Sequence, residues 1–264
     1  MRATTCNHPV AARGRSHTIH LQLQEYALRA AELAAAPTRT QQPIHNRWST
    51  PCEWKQPHNA RMSEYILGLT GGIASGKSMV EARFRALNIV VADADVAARE
   101  AVAAGSDGLA EVVAAFGSSI LTADGNLDRA AMRQRVFAES AARKTLEAIV
   151  HPRVRTALAE TCRSAQSPYV IASIPLLAES GGRGAYPWLD RILVVDAAVG
   201  VQLARLQQRD GIDDGLAQRM IVAQASRQQR LAIADDVLVN DGALDVLDAQ
   251  VVALDQLYRR LATA

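Results

Sequence analysis

One octapeptide constrains this chain more than any other: Gly71-Gly72-Ile73-Ala74-Ser75-Gly76-Lys77-Ser78. An apolar run, Tyr65 to Thr70, precedes it, and a helical-looking run from Lys77 to Leu87 comes after it. The pattern G-x-x-x-x-G-K-S between a strand and a helix is a phosphate-binding P-loop. Its glycines let the backbone curl with the N–H groups pointing inward. Those groups, with the positive end of the next helix, favour a polyphosphate. Lys77 is then expected to reach the β- and γ-phosphates, and the Ser78 hydroxyl to be a Mg²⁺ ligand. The nucleotide-binding stretch runs from Gly71 through Met79. The plainer reading, a glycine-rich turn with a surface lysine, loses ground once the flanking strand and helix are counted.

The 264 residues suffice for one large α/β domain or a domain with an extension, and 49% hydrophobic residues supply a sizeable core. No run approaches the ~18 apolar residues of a membrane span. Cys6, Cys52 and Cys162 form neither a CxxC pair nor a metal-ligand pattern, which fits a reducing cytoplasm. The net charge of +2 hides a segregation. Arg2, Arg13, Arg15, Arg29, Arg39, Arg47, Lys55 and Arg61 face only Glu25, Glu32 and Glu53 in residues 1–61, so the remainder is net acidic. The basic balance therefore gives no reason to expect nucleic-acid binding by the main domain.

Residues 1–61 differ in kind from the rest of the chain. They hold His8, His17, His20, His45 and His58, with Trp48 and Trp54. Only Leu21 to Ala36 has a helical pattern, and Thr38 to Asn59 has no apolar period, so the segment reads as irregular or disordered. A targeting peptide and a histidine-based metal site both fit poorly, in composition and in spacing respectively. The composition favours a biological start at Met62, with the upstream residues outside the native protein.

From there the pattern is strand and helix in alternation. Strands are expected at Tyr65–Thr70, Ile89–Ala92, Tyr169–Ile174, Arg191–Val195 and Val237–Val239. These are short apolar runs, as in parallel sheets buried on both faces. Between the second and third strands lie only helical patterns: Val96–Ala103, Leu109–Phe116, Arg129–Phe137, Ala141–Ile149 and Val154–Ala165. The last two are separated at His151-Pro152 by a proline break. About seventy residues is too long for one crossover, so this region reads as an inserted helical subdomain. The fold class is α/β, a P-loop NTPase-type parallel five-stranded sheet flanked by helices. Residues 62–95 and 167–264 form the nucleotide-binding core and 96–166 the insertion. An arginine-rich lid spans 205–230, and helix Leu244–Leu261 closes the chain.

Ligands of open α/β sheets bind at the carboxyl ends of the strands. Those ends carry the P-loop, Asp93 and Asp95, Pro175-Leu176-Leu177, Asp196 and Asn240. A kinase acting on a hydroxyl needs a carboxylate to take or orient its proton. By residue type alone Asp95 reads better as the N-cap of the next helix, and its position beside the P-loop at the sheet edge reverses that in favour of the proton acceptor. Asp196 ends four apolar residues, as in a Walker B strand whose Asp holds Mg²⁺, but a capping role is the reading preferred here. Arg209 and Arg227 suit a mobile loop that closes over the transferred phosphoryl group and excludes water. His151, before a proline, reads more simply as a helix-boundary residue than as a catalyst.

In order along the chain stand Leu69-Thr70 with the P-loop, Asp93-Ala94-Asp95 with Arg99, Asp124-Gly125-Asn126-Leu127, His151-Pro152, and Pro175-Leu176-Leu177 with Glu179. Gln208-Arg209-Asp210, Gln224 to Leu231, Ala234 to Val237 and Asn240-Asp241-Gly242 come next. This ordered set, from Met62 to the C-terminus, resembles the dephospho-CoA kinase family. The resemblance implies ATP-dependent phosphorylation of the ribose 3′-hydroxyl of dephospho-CoA, the last step of coenzyme A synthesis. It implies Asp95 as the base, with Lys77 and Arg209 stabilising the phosphoryl group and Ser78 carrying Mg²⁺. It places Arg227 and Asn240 near the nucleotide, and Asp93, Arg99, His151 and Pro175–Leu177 around the acceptor. The chain departs from the family pattern at Met79, where Thr is usual; at Ala74, where Gly is more usual and negative φ is expected; and at Ser173, where an acid is common and no role is assigned.

Two other classes compete. Another small-molecule P-loop kinase would share the core, but the long insertion and the Pro175–Leu177 turn favour a bulky acceptor. A GTP-binding switch would need an Asn-Lys-x-Asp motif, which the sequence lacks. A nucleotide hydrolase would depend on Asp196 instead of Asp95. A cytoplasmic monomer or weak homo-oligomer is expected, with a small-molecule substrate and neither nucleic-acid nor membrane partners.

Overall fold

The computed structural model describes residues 64–264. The expectations for residues 1–61, including a start at Met62, lie outside the described residues. Five strands form one parallel sheet: β1 (Ile66–Gly71), β2 (Val90–Asp93), β3 (Val170–Ser173), β4 (Arg191–Asp196) and β5 (Asp236–Val239). Their spatial order is β2-β3-β1-β4-β5. Burial follows that order: β1 and β3 are buried throughout, whereas the edge strands expose Val90, Val237 and Val239. This is why the central strands read as unbroken apolar runs.

The helices are α1 (Lys77–Ala86), α2 (Ala94–Glu100), α3 (Asp107–Phe116), α4 (Arg129–Ala138), α5 (Ser140–Ser164), α6 (Val199–Asp210), α7 (Asp214–Ala223), α8 (Arg227–Ala232) and α9 (Leu244–Leu261). On one face of the sheet Leu67, Leu69, Ile171 and Leu193 pack against Val80 and Phe84 of α1 and Val251 and Tyr258 of α9. On the other, Ile66, Val170, Ala172 and Ile192 meet Ala97 of α2 and Val154, Leu158 and Cys162 of α5. Alternate residues of each strand thus serve opposite layers, the period-two geometry of a strand. A separate small core, with Val112, Phe116, Met132, Ala142 and Ile149, lies among α3, α4 and the start of α5.

The expected break at His151-Pro152 does not occur, because α5 is continuous from Ser140 to Ser164 with Pro152 inside it. A mid-helix proline costs about 3 kcal/mol through a lost hydrogen bond and a ring clash. Here both halves are anchored. Ala142 and Ile149 are buried in the small core, and Val154, Leu158 and Cys162 in the core under the sheet. Arg153 Nη1 donates to the Ile149 carbonyl at 2.7 Å, supplying a side-chain donor beside the gap. The same burial pushes the Cys162 thiol up to about 12. Among the described residues no helix is long and apolar enough to cross a membrane.

Candidate active site

The loop between β1 and α1 is fixed by side chains that arrive from the far half of the chain. The Ile73 N–H donates to Gln224 Oε1 at 2.7 Å, and the Ile73 carbonyl accepts from Gln202 Nε2 at 2.7 Å. The Ser75 carbonyl accepts from Asn240 Nδ2 at 2.8 Å. Arg205 Nη1 lies 3.4 Å from the Ala74 and Ser75 carbonyls, and its Nη2 donates to the Asn240 carbonyl at 2.9 Å. Three consecutive carbonyls are therefore held by donors from outside the loop.

Two backbone positions show how tightly the loop is drawn. Gly76 has φ 94°, and a Cβ there would meet Asn240 Nδ2 at 2.1 Å. Ala74 has φ 55°, contrary to the negative φ expected from its side chain. A left-handed alanine costs roughly 1–2 kcal/mol. The clamps on Ile73 before it and Ser75 after it over-determine the turn and hold it there.

Lys77 opens α1 and is committed on its inner side. Its Nζ donates to Ser173 Oγ at 2.7 Å and to Glu81 Oε1 at 2.6 Å, while Ser173 Oγ donates to Glu81 Oε1 at 2.5 Å. Glu81 is buried one turn along α1, the i,i+4 spacing of a helical ion pair. Ser173, given no role from sequence, ties the lysine to the end of β3. The serine's register partner on β2 is Asp93. Asp93 Oδ1 accepts from the Asp95 N–H at 2.8 Å and is the N-cap of α2. The capping role considered for Asp95 thus belongs to Asp93. Asp95 is half-buried in the first turn, and its carbonyl accepts from Arg99 Nε at 3.2 Å. The P-loop lysine, Ser173, Asp93, Asp95 and Arg99 form one continuous line across the sheet end.

Other candidates are placed differently from the sequence reading. Leu177 is fully buried in the core under the sheet, and Pro175 is bound through its carbonyl by Thr70 Oγ1 at 3.1 Å, leaving Leu176 and the Pro175 ring half-exposed. His151 is exposed on α5, where its carbonyl accepts from Arg155 Nε at 3.3 Å. Arg209 lies in the last turn of α6 and forms a two-pronged pair with Asp210, at 2.6 and 2.7 Å. Arg205, one helical turn earlier, reaches the P-loop carbonyls instead. Ser78 and Met79 are exposed in the first turn of α1.

Asp196, buried at the end of β4, is not a helix cap. The α6 start has no side-chain cap, and the Ala198 N–H is taken by Asp241 Oδ1 at 2.8 Å. Arg227 holds the Asp196 carboxylate instead, Nε at 3.0 and 2.9 Å from its two oxygens and Nη2 at 2.6 Å. That hydrogen bond and charge raise the Arg227 pKa above its ordinary value. Sequence reasoning missed Glu81, Ser173, Gln202, Arg205 and Gln224. Only Glu81, at i+4 from Lys77, carried a local signal.

A family model described as "Dephospho-CoA kinase" matches residues 65–245. A dephospho-CoA kinase of Xanthomonas oryzae pv. oryzae is 56% identical over 198 residues, covering 75% of this chain and 98% of the relative. One from Xylella fastidiosa is 57% identical over 202 residues, covering 76% and 97%. Among solved structures, TT1252 from Thermus thermophilus has a TM-score of 0.61 at 33% identity, covering 73% of this chain and 97% of that one. A dephospho-CoA kinase from Campylobacter jejuni has a TM-score of 0.56 at 22% identity, covering 74% and 97%, and speaks to the fold alone.

Proposed function

The chain belongs to the dephospho-CoA kinase family, the kinases of the final step of coenzyme A biosynthesis, and we propose that Asp95 takes the proton of the acceptor hydroxyl while Lys77 steadies the phosphoryl group in transit. The acceptor is the ribose 3′-hydroxyl of dephospho-CoA, and the donor is ATP. The observation that carries this reading is the chain of contacts from Lys77 through Ser173 and Asp93 to Asp95, with capping left to Asp93.

Phosphoryl transfer asks for positioning and for positive charge around three equatorial oxygens. The P-loop supplies backbone donors, and its carbonyls are occupied by Gln202, Arg205 and Asn240. Lys77 supplies a cation whose place is fixed by Glu81 and Ser173. A carboxylate beside the hydroxyl raises its nucleophilicity as the O–P bond forms. Arg209 and Arg227 belong to the segment 205–230 that acts as a lid, and residues 96–166 form the acceptor side. In that role Arg209 would leave Asp210 for the phosphates. Asn240 acts on the nucleotide through the loop it braces.

Magnesium suits this set of donors. Mg²⁺ keeps several waters and leans on substrate phosphates, taking few protein oxygens. The exposed Ser78 hydroxyl in the first turn of α1 is such an oxygen. Ser78 would hold the ion, which would neutralise charge on the β- and γ-phosphates. The enzyme is read as a cytoplasmic monomer or weak homo-oligomer, acting without nucleic-acid or membrane partners.

The test is ATP consumption by the full chain with Mg²⁺, with and without dephospho-CoA. Turnover that requires the acceptor and releases coenzyme A is expected. Equal turnover without acceptor would replace this reading with a nucleotide hydrolase centred on Asp196.

A further inference from the structure

Lys77 and Glu81 have the spacing of an ordinary helical ion pair, but not its surroundings. A surface pair with the same spacing, Arg135 with Glu139 at 3.8 Å, has side chains 47% and 57% exposed. Those of Lys77 and Glu81 are 13% and 6% exposed. Glu81 lies one residue past Val80 and three before Phe84, both buried against the sheet, so the face of α1 that carries it is turned inward. A third member comes from another element: Ser173, fully buried at the end of β3. Lys77 Nζ lies 2.7 Å from Ser173 Oγ and 2.6 Å from Glu81 Oε1, and those two oxygens are 2.5 Å apart, a nearly equilateral triangle. The other carboxylate oxygen, Oε2, faces Arg85 Nη1 at 3.7 Å.

A buried ion pair adds little net stability, because desolvating both charges offsets their attraction. What this one fixes is position. A lysine ammonium rides on a flexible four-carbon stem and carries three N–H donors. In the triangle both acceptors lie on one side of Nζ, which leaves a donor turned away from them for a phosphate held by the loop. The carboxylate also offsets part of the lysine's charge. Glu81 thus weakens the pull of Lys77 on a ground-state nucleotide while holding the ammonium where charge develops as the phosphoryl group moves. Interactions that favour the transition state over the ground state are the ones that raise kcat.

We propose that Glu81 is a positioning residue for phosphoryl transfer, acting through Lys77 with Ser173 as second anchor, and that the site requires one carboxylate in this triangle, whichever element carries it. This rests on the reading of Lys77 as the cation that steadies the phosphoryl group on its way to dephospho-CoA. Steady-state kinetics on the full chain tests it, with thermal melts to show that each variant is folded. Glu81→Gln keeps the shape and removes the charge. Its kcat is expected to fall roughly ten- to a hundredfold, as for a reacting group displaced by about 1 Å. Its KM for ATP should stay level or fall. The exchange variant Glu81→Ser/Ser173→Asp returns a carboxylate to the triangle from the β3 side and should recover much of the lost kcat. A folded Glu81→Gln protein with wild-type kcat overturns the proposal. A raised KM for ATP with kcat unchanged also overturns it, since Glu81 would then serve ground-state binding. So does a folded exchange variant no faster than Glu81→Gln. If either variant does not fold, Ser173→Ala carries the test, because it deletes a single hydroxyl: a lowered kcat at unchanged KM for ATP supports the proposal, and a wild-type kcat overturns it. A wild-type protein that leaves dephospho-CoA untouched overturns the function itself. An active wild type with an indifferent Glu81→Gln variant removes the positioning role alone.

Discussion

Arg227 encloses the Asp196 carboxylate from the rim of the site, with its Nε and Nη2 within 3.0 Å of the two oxygens. The partners are unequal: the aspartate side chain is 3% exposed and the arginine side chain 53%. The pair locks the arginine-rich segment onto the end of β4, the strand whose last residue would hold the metal in a Walker B arrangement.

Removing the arginine leaves a buried carboxylate without its bidentate partner, the costlier half of any ion-pair deletion. Arg227→Met is expected to lower the melting temperature. The double variant Asp196→Asn/Arg227→Met, which leaves no buried charge there, should recover part of the loss. Thermal melts of wild type and both variants decide the matter, and identical curves for wild type and Arg227→Met would deny the pair any structural weight.

Asp95→Asn retains shape and loses the proton acceptor. Its kcat should fall by about 10²–10⁴ with little change in the KM for ATP. Lys77→Ala should be at least as damaging, since backbone donors cannot replace its charge. Asp93→Ala is expected to act on stability instead, by about 1 kcal/mol, because it removes the cap of α2. Kinetics and denaturant titration on the three proteins separate these roles. Near-wild-type turnover by Asp95→Asn would remove it from the chemistry.

Gly76→Ala places a Cβ against Asn240 Nδ2 at a left-handed φ of 94°. Strain of roughly 1–3 kcal/mol and a displaced Asn240 should result, with nucleotide binding lost before the fold is. Calorimetric titration with ATP checks it. Unchanged affinity would mean that the loop tolerates a shifted Asn240.

Burial lifts the Cys162 thiol to about 12, so almost no thiolate exists between pH 7 and 9. Iodoacetamide at pH 8 should spare Cys162 in the native protein and label it in denaturant, as read by peptide mass mapping. Native labelling at a rate like that of a free thiol would place this stretch of α5 in frequent opening.

The sheet was legible because buried parallel strands announce themselves as short apolar runs, and the P-loop because its residue types are dictated by a local turn. Helix α9 matches its apolar period from Leu244 to Leu261. Pro152 misled because local chemistry argues for a break while burial on both sides of it argues for continuity, and burial prevails. Ala74 misled for a similar reason: intrinsic preference favours negative φ, and four distant side chains, Gln202, Arg205, Gln224 and Asn240, impose the opposite. Gln202, Gln224 and Arg205 carried no sign in the sequence that they hold the P-loop. Their roles depend on which backbone groups lie opposite them in space, and no spacing encodes that. Ser173 lacks the charge usual at that position, yet its hydroxyl bridges Lys77 to Glu81.

The clamp on the P-loop also orders events during synthesis. Gly76 and Lys77 leave the ribosome early, but the Ser75 carbonyl waits for Asn240, 165 residues later. At 5–20 residues per second that interval is on the order of ten seconds or more. For most of it β1 has no β4 beside it, and until it ends the loop lacks its brace. A nascent chain therefore carries the full phosphate-binding motif without a phosphate-binding site. Competence arrives only once the last strand has been translated.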